Sequence, residues 1–112
     1  RSAPVRPYSF SLRDGQLDYV PLLAAIVEDR LRKRDICEIA RAFHGAVVTG
    51  ILETCRFFGH ERIVISGGVF QNVLLMRELR RSLGQRLWTN EVVPCNDGGI
   101  CLGQAAIAAC RA

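Results

Sequence analysis

The chain has 112 residues and a mass of 12.4 kDa, which is enough for one modest domain. Hydrophobic residues make up 49% of it and charged residues 23%, ordinary globular values that exclude a disordered tail or a low-complexity linker. No apolar run approaches the roughly 18 residues needed to cross a bilayer, so we expect no membrane association. The first residue is Arg1 rather than Met, which favours a piece of a longer polypeptide.

The charge and the cysteines argue against nucleic-acid binding, disulfides and a structural zinc site. The net charge is +4, and every basic residue except Lys33 is an arginine. The densest basic cluster, residues 30–34, has no aromatic residue within it, so we interpret it as a solvated helix end and expect no nucleic-acid binding. The cysteines number five and form no Cys-x-x-Cys pair. We therefore expect buried free thiols in a reducing cytoplasm, without disulfides or a structural zinc site.

A short strand and a helix are predicted first. Residues 8–12 alternate as a strand does, and Asp14 with Gly15 predicts the turn that follows. Asp18 is expected to cap a helix in which Pro21 occupies the first turn, where its missing N–H costs nothing. The apolar stripe of this helix runs to about residue 33.

The second predicted helix covers residues 36–58. Asp35 and Glu38 resemble a capping box, and Gly59 is expected to end the helix. Its apolar stripe favours burial against a sheet, but the same stripe also suits a non-catalytic α/β interaction module that docks a partner. The predicted stripe consists of Ile36, Ala40, Phe43, Val47, Ile51, Thr54 and Phe58.

The second half of the chain predicts two strands and two helices in alternation. A β-branched run at 62–66 is typical of a strand buried on both faces. A helix from about 69 to 83 follows, then a strand at 86–90 extended by residues 92–93. A small-residue helix at 100–110 has Gly103 placed for close packing. The resulting order, β-α-α-β-α-β-α, predicts an α/β fold.

Each of these two strands is followed by a pair of glycines, Gly67 with Gly68 and Gly98 with Gly99. A glycine turn that leads into a helix exposes backbone N–H groups at the positive end of the helix dipole, which suits phosphate. Turns after successive strands are expected to open at the same sheet edge. The chain has no Gly-x-Gly-x-x-Gly motif and no Walker A motif.

Two polar residues beside these turns are the best candidates for a site. Asn72 is predicted one turn into its helix, where its amide can bind a base or ribose. Asp97 has two open interpretations, an N-cap carboxylate or a ligand for a metal or a metal-bound phosphate. Ser66 lacks the first glycine of a nucleophile elbow and is a poor nucleophile candidate. His44 is interpreted as structural, and a Cys95–His44 nucleophile pair is kept as an alternative.

Two sequence segments resemble the HypF family of hydrogenase-maturation carbamoyltransferases. They are residues 65–72 (ISGGVFQN) and 94–105 (PCNDGGICLGQA). Residues 39–44 (IARAFH) and 14–18 (DGQLD) are similar to the upstream part of that family. The segments occur in order and with suitable spacing over nearly the whole chain.

The resemblance implies a fold and an activity. It implies the C-terminal lobe of a two-lobed, actin/Hsp70-like ATPase-type fold, within a larger cytoplasmic carbamoyltransferase. Members of the family use ATP and carbamoyl phosphate to form carbamoyl-adenylate. They then carbamoylate the C-terminal cysteine of a partner protein during maturation of nickel–iron hydrogenase.

The resemblance also implies roles for four residues. Gly67, Gly68 and Asn72 would contact the nucleotide, and Asp97 would complete a divalent-metal site with two histidines of a His-x-x-x-His motif. That motif is absent here, because the two histidines of the chain, at positions 44 and 60, are sixteen residues apart. No catalytic residue is assigned within this chain, and we do not expect the chain to carry out the reaction alone.

Overall fold

The computed structural model describes residues 5–111, which divide between His60 and Glu61 into two compact units. Residues 1 to 4 and 112, the ends of the predicted fragment 1–112, lie outside the described range. The class is mixed helix and sheet, as predicted. The order is β-β-α-α-β-α-β-α, with one strand more than predicted. No helix of the described range is long and apolar enough to cross a membrane.

The first unit opens with a small antiparallel hairpin. Strand β1 (Leu12–Arg13) pairs with strand β2 (Gln16–Leu17), which is the additional strand. The predicted Asp14–Gly15 turn is confirmed, and both residues have positive φ (49° and 77°), as a tight hairpin turn of the type I′ class requires. The predicted strand at 8–12 is wrong in extent, because residues 8 to 11 have no regular secondary structure.

Helix α1 (Val20–Leu31) begins one residue later than the predicted cap at Asp18 implies, and it stops two residues early. Pro21 lies in its first turn, and the carboxylate of Asp18 accepts a hydrogen bond of 3.1 Å from the Val20 N–H. The residue at the cap position itself is Tyr19, which makes no side-chain cap bond. Lys33 adopts the left-handed conformation, with φ of 58°, and so ends the helical path before residue 33.

Helix α2 (Ile36–Phe58) has the predicted bounds. Asp35 caps it by accepting the N–H groups of Cys37 and Glu38, and Gly59 ends it in the left-handed conformation with φ of 66°. The reciprocal half of the predicted capping box is wrong. The Glu38 carboxylate accepts the Nε–H of Arg34 (3.1 Å) instead of the cap residue's N–H, because an arginine gives it a charged partner.

The predicted stripe of α2 does not coincide with the face that is buried. Ile36 and Phe58 are 63% and 57% exposed, and Phe43 is also exposed. The fully buried positions are offset from the predicted ones. They are Ile39, Ala42, Ala46, Gly50 and Cys55.

Close approach of the preceding segment explains this offset. A Cβ atom on Gly50 would lie 2.8 Å from Cδ1 of Phe10, and one on Gly45 would lie 3.1 Å from Cβ of Pro7. The backbone N–H of Tyr8 also donates to the carbonyl of Ala42 over 3.3 Å. Small residues therefore occupy the buried face because a neighbouring chain segment packs directly against the helix backbone.

A polar cluster joins three segments of the first unit. The hydroxyl of Tyr8 donates to Asp29 over 2.7 Å, and Arg34 donates to the same carboxylate oxygen over 2.6 Å. These hydrogen bonds, first that from Tyr8 and then that from Arg34, lower the pKa of Asp29 below its ordinary value of 3.8. Burial, followed by the bond to Asp29, raises the pKa of Tyr8. The cluster connects the amino-terminal segment, the end of α1 and the start of α2.

The second unit is built on a parallel strand pair. Strands β3 (Ile63–Ile65) and β4 (Leu87–Thr89) are joined by helix α3 (Val73–Leu83), and helix α4 (Ile100–Arg111) follows. The unit's small core contains Ile65, Leu75, Leu79 and Leu83.

Three finer predictions for the second unit are wrong. Strand β3 is not buried on both faces, since Val64 is 73% exposed. Residues 92–93 do not extend β4. No described atom outside the helix's own neighbourhood lies within 4 Å of a Cβ built on Gly103, so the expected close packing is not seen there.

The prediction that the cysteines are buried is wrong for most of them. Cys55 is the one cysteine that the structure buries.

We predict that the Asp29 cluster makes the first unit sensitive to acid. The pKa of Asp29 is lower in the folded state, so its stabilising effect is present above pH 4 to 5 and is lost as the pH falls through its lowered folded-state pKa. The Asp29→Asn variant should show a lower melting temperature at pH 7 and a shallower decline towards pH 2.5. Thermal unfolding followed by circular dichroism measures both. Asp14→Asn is the matched control and should retain the wild-type decline, since asparagine tolerates the positive φ of that turn.

We also predict opposite effects for two helical glycines. Gly50→Ala should lower the free energy of unfolding by about 1 kcal/mol, since overpacking against Phe10 outweighs the better helix propensity of alanine. Gly103→Ala meets no contact and should instead raise the helix content or leave it unchanged. Urea unfolding and far-ultraviolet circular dichroism measure the two effects. Equal stabilisation by both substitutions would contradict the close approach at Gly50.

Candidate functional site

The first glycine turn differs from the sequence prediction in where its helix begins. Gly67 has φ of 112° and ψ of 157°, a conformation that is essentially restricted to glycine. Residues Gly68–Gln71 then form a 3₁₀ turn, and α3 starts only at Val73. No atom of residues 5–111 lies within 4 Å of a Cβ built on Gly68, so the front of this turn is open among the described residues. The turn offers a ligand close access to its backbone.

Asn72 is the N-cap of α3 and does not lie one turn inside the helix. Its Oδ1 accepts the N–H groups of Leu74 (3.0 Å) and Leu75 (3.2 Å). The prediction missed this because asparagine binds nearby backbone more readily than it continues a helix, so a helix begins after it. The oxygen of the Asn72 side chain therefore has a structural task, which any ligand-binding role has to share.

The second glycine turn is capped by Asn96. Its Oδ1 accepts the Gly98 N–H over 3.0 Å, and its carbonyl accepts the Gly99 N–H over 3.0 Å. Residues Asp97–Gly99 form a 3₁₀ turn that runs directly into α4. A Cβ on Gly99 would come within 2.7 Å of the Pro94 carbonyl oxygen, so glycine is required there for steric reasons.

Asp97 lies at the start of this turn, as predicted, but the capping interpretation of its carboxylate is wrong. Asn96 makes the cap bond, while the Asp97 side chain is exposed and forms no hydrogen bond or ion pair with the described residues. Its negative charge lies in the first turn of a helical segment, where the helix dipole favours it. The carboxylate is therefore accessible for an interaction with a group outside the turn.

A backbone hydrogen bond joins the two turns. The N–H of Gly67 donates to the carbonyl of Cys95 over 2.5 Å, and the Ser66 hydroxyl donates to the same oxygen over 3.4 Å. The prediction that the turns meet at one edge of the sheet is thereby confirmed. The N–H groups of Gly67, Gly98 and Gly99 all donate to protein oxygens, so they do not form the predicted phosphate cradle. Open access remains at Gly68.

A metal ion would find a single candidate ligand in this site. Among residues 5–111, no group of three or more His, Cys, Asp or Glu side chains lies together. One exposed carboxylate does not hold a divalent ion by itself, because such ions take several oxygen or nitrogen ligands. The residues present thus do not fit a self-contained metal site.

The other two candidate residues, His44 and Cys95, lie outside the glycine turns themselves. His44 lies on α2 in the first unit, and its Nδ1 is 2.7 Å from the carbonyl of Ala40. Cys95 is half-buried in the second unit. Sequence reasoning missed the structural roles of Cys95 and Asn96. The pattern of Asn followed two residues later by Gly was the available signal for the Asn96 turn.

Comparison with known proteins identifies the class. Residues 1–104 match the family described as the second subdomain of a carbamoyltransferase, Kae1-like domain. The chain is 35% identical over 92 residues to the carbamoyltransferase HypF of Synechocystis and 34% identical over 99 residues to the carbamoyltransferase HypF2 of Cupriavidus necator. The chain belongs to the HypF carbamoyltransferase family. Within the proteins of that family, the chain corresponds to the second subdomain of the Kae1-like domain.

Solved structures agree with this assignment. The chain superposes with a TM-score of 0.85, at 34% identity, on a crystal structure of full-length HypF in a phosphate- and nucleotide-bound form, covering 96% of this chain and 16% of that one. HypF of T. kodakarensis has a TM-score of 0.73 at 23% identity, which supports the fold alone. The Synechocystis and Cupriavidus alignments cover 79% and 86% of this chain but only 12% of each relative.

We predict that two neighbouring glycines respond differently to alanine. Gly67→Ala forces a strained φ and weakens the bond to Cys95, which should cost about 1–3 kcal/mol of stability. Gly68→Ala has open space and no such strain, so its stability should stay within about 0.5 kcal/mol of wild type. Urea unfolding monitored by Trp88 fluorescence compares the two variants. A similar loss in both would show that the conformation of Gly67 is not what constrains this turn.

Proposed function

We propose that the chain contributes one side of the nucleotide cleft of a carbamoyltransferase. The support comes from family membership, from the nucleotide-bound relative and from the open front of the Gly68 turn. In this proposal the open backbone of Gly68, and that of Gly67 beside it, whose N–H is bonded to Cys95, lies against the sugar or phosphates of ATP or carbamoyl-adenylate. The amide NH₂ of Asn72 donates to the nucleotide, while its Oδ1 caps α3.

The observation that carries the proposal is the state of Asp97. Capping by Asn96 leaves the Asp97 carboxylate exposed beside a turn that is hydrogen-bonded to the Gly67 turn. A charged loop side chain that its own turn does not use for capping, next to an open glycine turn, is accessible to a ligand. As one oxygen donor, Asp97 would need further metal ligands from outside these 112 residues, and no step proposed here passes through a metal.

The reaction proposed for the whole protein follows the family. Carbamoyl phosphate, water and ATP yield carbamoyl-adenylate, phosphate and pyrophosphate. The sulfur of the C-terminal cysteine of an acceptor protein then takes the carbamoyl group with AMP as the leaving group, in the cytoplasm during hydrogenase maturation. The role of this subdomain in that sequence is to bind and orient the adenylate. The chain contributes no assigned nucleophile or general base.

A second candidate function is supported by the exposed face of α2. Ile36, Phe43 and Phe58 were expected to be buried and are exposed instead, which suits a helix that docks a partner protein. Size-exclusion chromatography with light scattering measures whether the chain self-associates, and a hydrophobic dye reports whether the apolar face of α2 is accessible. A strict monomer that binds no hydrophobic dye would count against docking.

The site assignment is tested by grafting. The matched segment of the Synechocystis carbamoyltransferase is replaced by this chain, and carbamoyl transfer to the acceptor protein is measured with ATP and carbamoyl phosphate. Asn72→Ser keeps the cap but removes the amide donor, so it should raise the KM for ATP by roughly tenfold while stability is retained. Asn72→Ala loses the cap as well and should cost a further 0.5–2 kcal/mol or so of stability.

Asp97 is tested in the same graft. Asp97→Asn removes the charge and keeps the shape, and it should lower carbamoyl transfer by at least about tenfold if the carboxylate faces the ligand. Glu91→Gln is the matched control, because Glu91 is an exposed carboxylate on the loop just before the same turn. Activity of the Asp97→Asn graft equal to that of the control would remove Asp97 from the site.

A further inference from the structure

A small pocket lies where the two parallel strands end. Its volume is about 130 Å³, and both apolar and polar residues line it. The polar side includes Asn90, directly after β4, and Cys95, whose carbonyl joins the two glycine turns. The lining residues are Ile65, Phe70, Met76, Arg80, Thr89, Asn90 and Cys95. Small ligands bind preferentially at the carboxyl ends of parallel strands.

Arg80 supplies the charge of this pocket. It is the one residue with a full formal charge among those that line it. The neighbouring arginines of α3 differ from it: Arg81 pairs with Glu78 over 3.8 Å and Arg77 pairs with Glu78 over 3.3 Å, whereas Arg80 forms no ion pair with the described residues. Arg80 therefore brings to the lining of the pocket a positive charge that no described ion pair neutralises.

A second depression shares Met76 and Arg80 with this pocket. Arg80 and Arg77 both line this second, more open depression on the same side of α3 together with Met76. Residues three apart on a helix share a face, so Arg77 and Arg80 lie on the same face of α3, where Glu78 pairs with Arg77 and not with Arg80.

The pocket's size limits what it can hold. A volume of about 130 Å³ accommodates a group of a few heavy atoms and is too small for a nucleoside. A planar guanidinium binds phosphate oxygens in a bidentate manner. The side-chain amide of Asn90 and the hydroxyl of Thr89 add further hydrogen-bond donors.

We propose that the pocket lined by Arg80, Thr89, Asn90 and Cys95 binds a phosphate group, held by the Arg80 guanidinium. The pocket adjoins the two glycine turns through Phe70 and Cys95, but its proposed contacts with phosphate involve none of Gly67, Gly68, Asn72 and Asp97, so the proposal does not depend on the proposed transferase function. The phosphate is either a free anion or the terminal group of a larger ligand that remains outside the pocket.

A purely structural role for Arg80 has to be distinguished from this one. Arginine in the last turn of a helix is stabilised by the helix dipole, and both Arg80 and Arg81 occupy the last turn of α3. Arg81 shares that role but does not line the pocket. Arg81→Gln is therefore a matched control for Arg80→Gln.

The experiment is a titration of the 112-residue chain with inorganic phosphate at constant ionic strength, followed by amide chemical shifts in two-dimensional NMR. We expect saturable shifts at Thr89, Asn90 and Cys95. Arg80→Gln should weaken the apparent affinity by roughly tenfold or more, and Arg81→Gln by less than about twofold. The melting temperatures of the two variants show whether the fold is equally intact.

The outcomes separate the possibilities. Shifts that do not saturate, or that Arg80→Gln and Arg81→Gln weaken equally, would overturn the proposal. A parallel titration with AMP identifies the source of the phosphate once phosphate itself binds. Arg80-dependent shifts with AMP indicate a terminal phosphate group, and their absence indicates a site for the free anion.

Discussion

The hydrogen bond from the Gly67 N–H to the Cys95 carbonyl is the contact on which the candidate site depends. It connects the loop after β3 with the loop after β4. Ser66 and Cys95 are 29 residues apart in the sequence, and this contact brings their two loops together on one surface. The bond requires a backbone conformation at Gly67 that other residues rarely adopt. A local conformational property of one glycine thus determines where Asp97 lies relative to the first turn.

The three glycines around this bond are present for different physical reasons. Gly67 provides an unusual φ, and Gly99 provides room for the Pro94 carbonyl. Gly68 has neither constraint, and nothing within the structure explains why a side chain is absent there. A ligand that approaches the backbone at Gly68 would explain it, which agrees with the nucleotide cleft proposed from the family. The polar residues also differ in their roles. Asn72 and Asn96 cap helical turns, whereas Asp97 does not.

Helix boundaries were predictable where a local signal sets them. Asp35 and Gly59 delimit α2 because capping and the left-handed conformation depend on a few adjacent residues. The start of α3 was misplaced because Asn72 can follow a 3₁₀ turn as well as lie in a helix. The buried face of α2 was misassigned for a non-local reason. Hydrophobicity favoured Phe43 and Phe58, but the close approach of Phe10 and Pro7 selects small residues.

The sequence by itself determined the α/β class, the two glycine turns and the family, because these depend on short motifs and their order. Only the tertiary structure decided that Asn96 replaces Asp97 as the cap, that Cys95 joins the turns and that Arg80 lines a pocket at the strand ends. Each of these depends on a distance between atoms that are far apart in the chain or on a competition between neighbouring side chains. The sequence shows which side chains and backbone groups are present, whereas packing in the folded chain determines which of them come into contact.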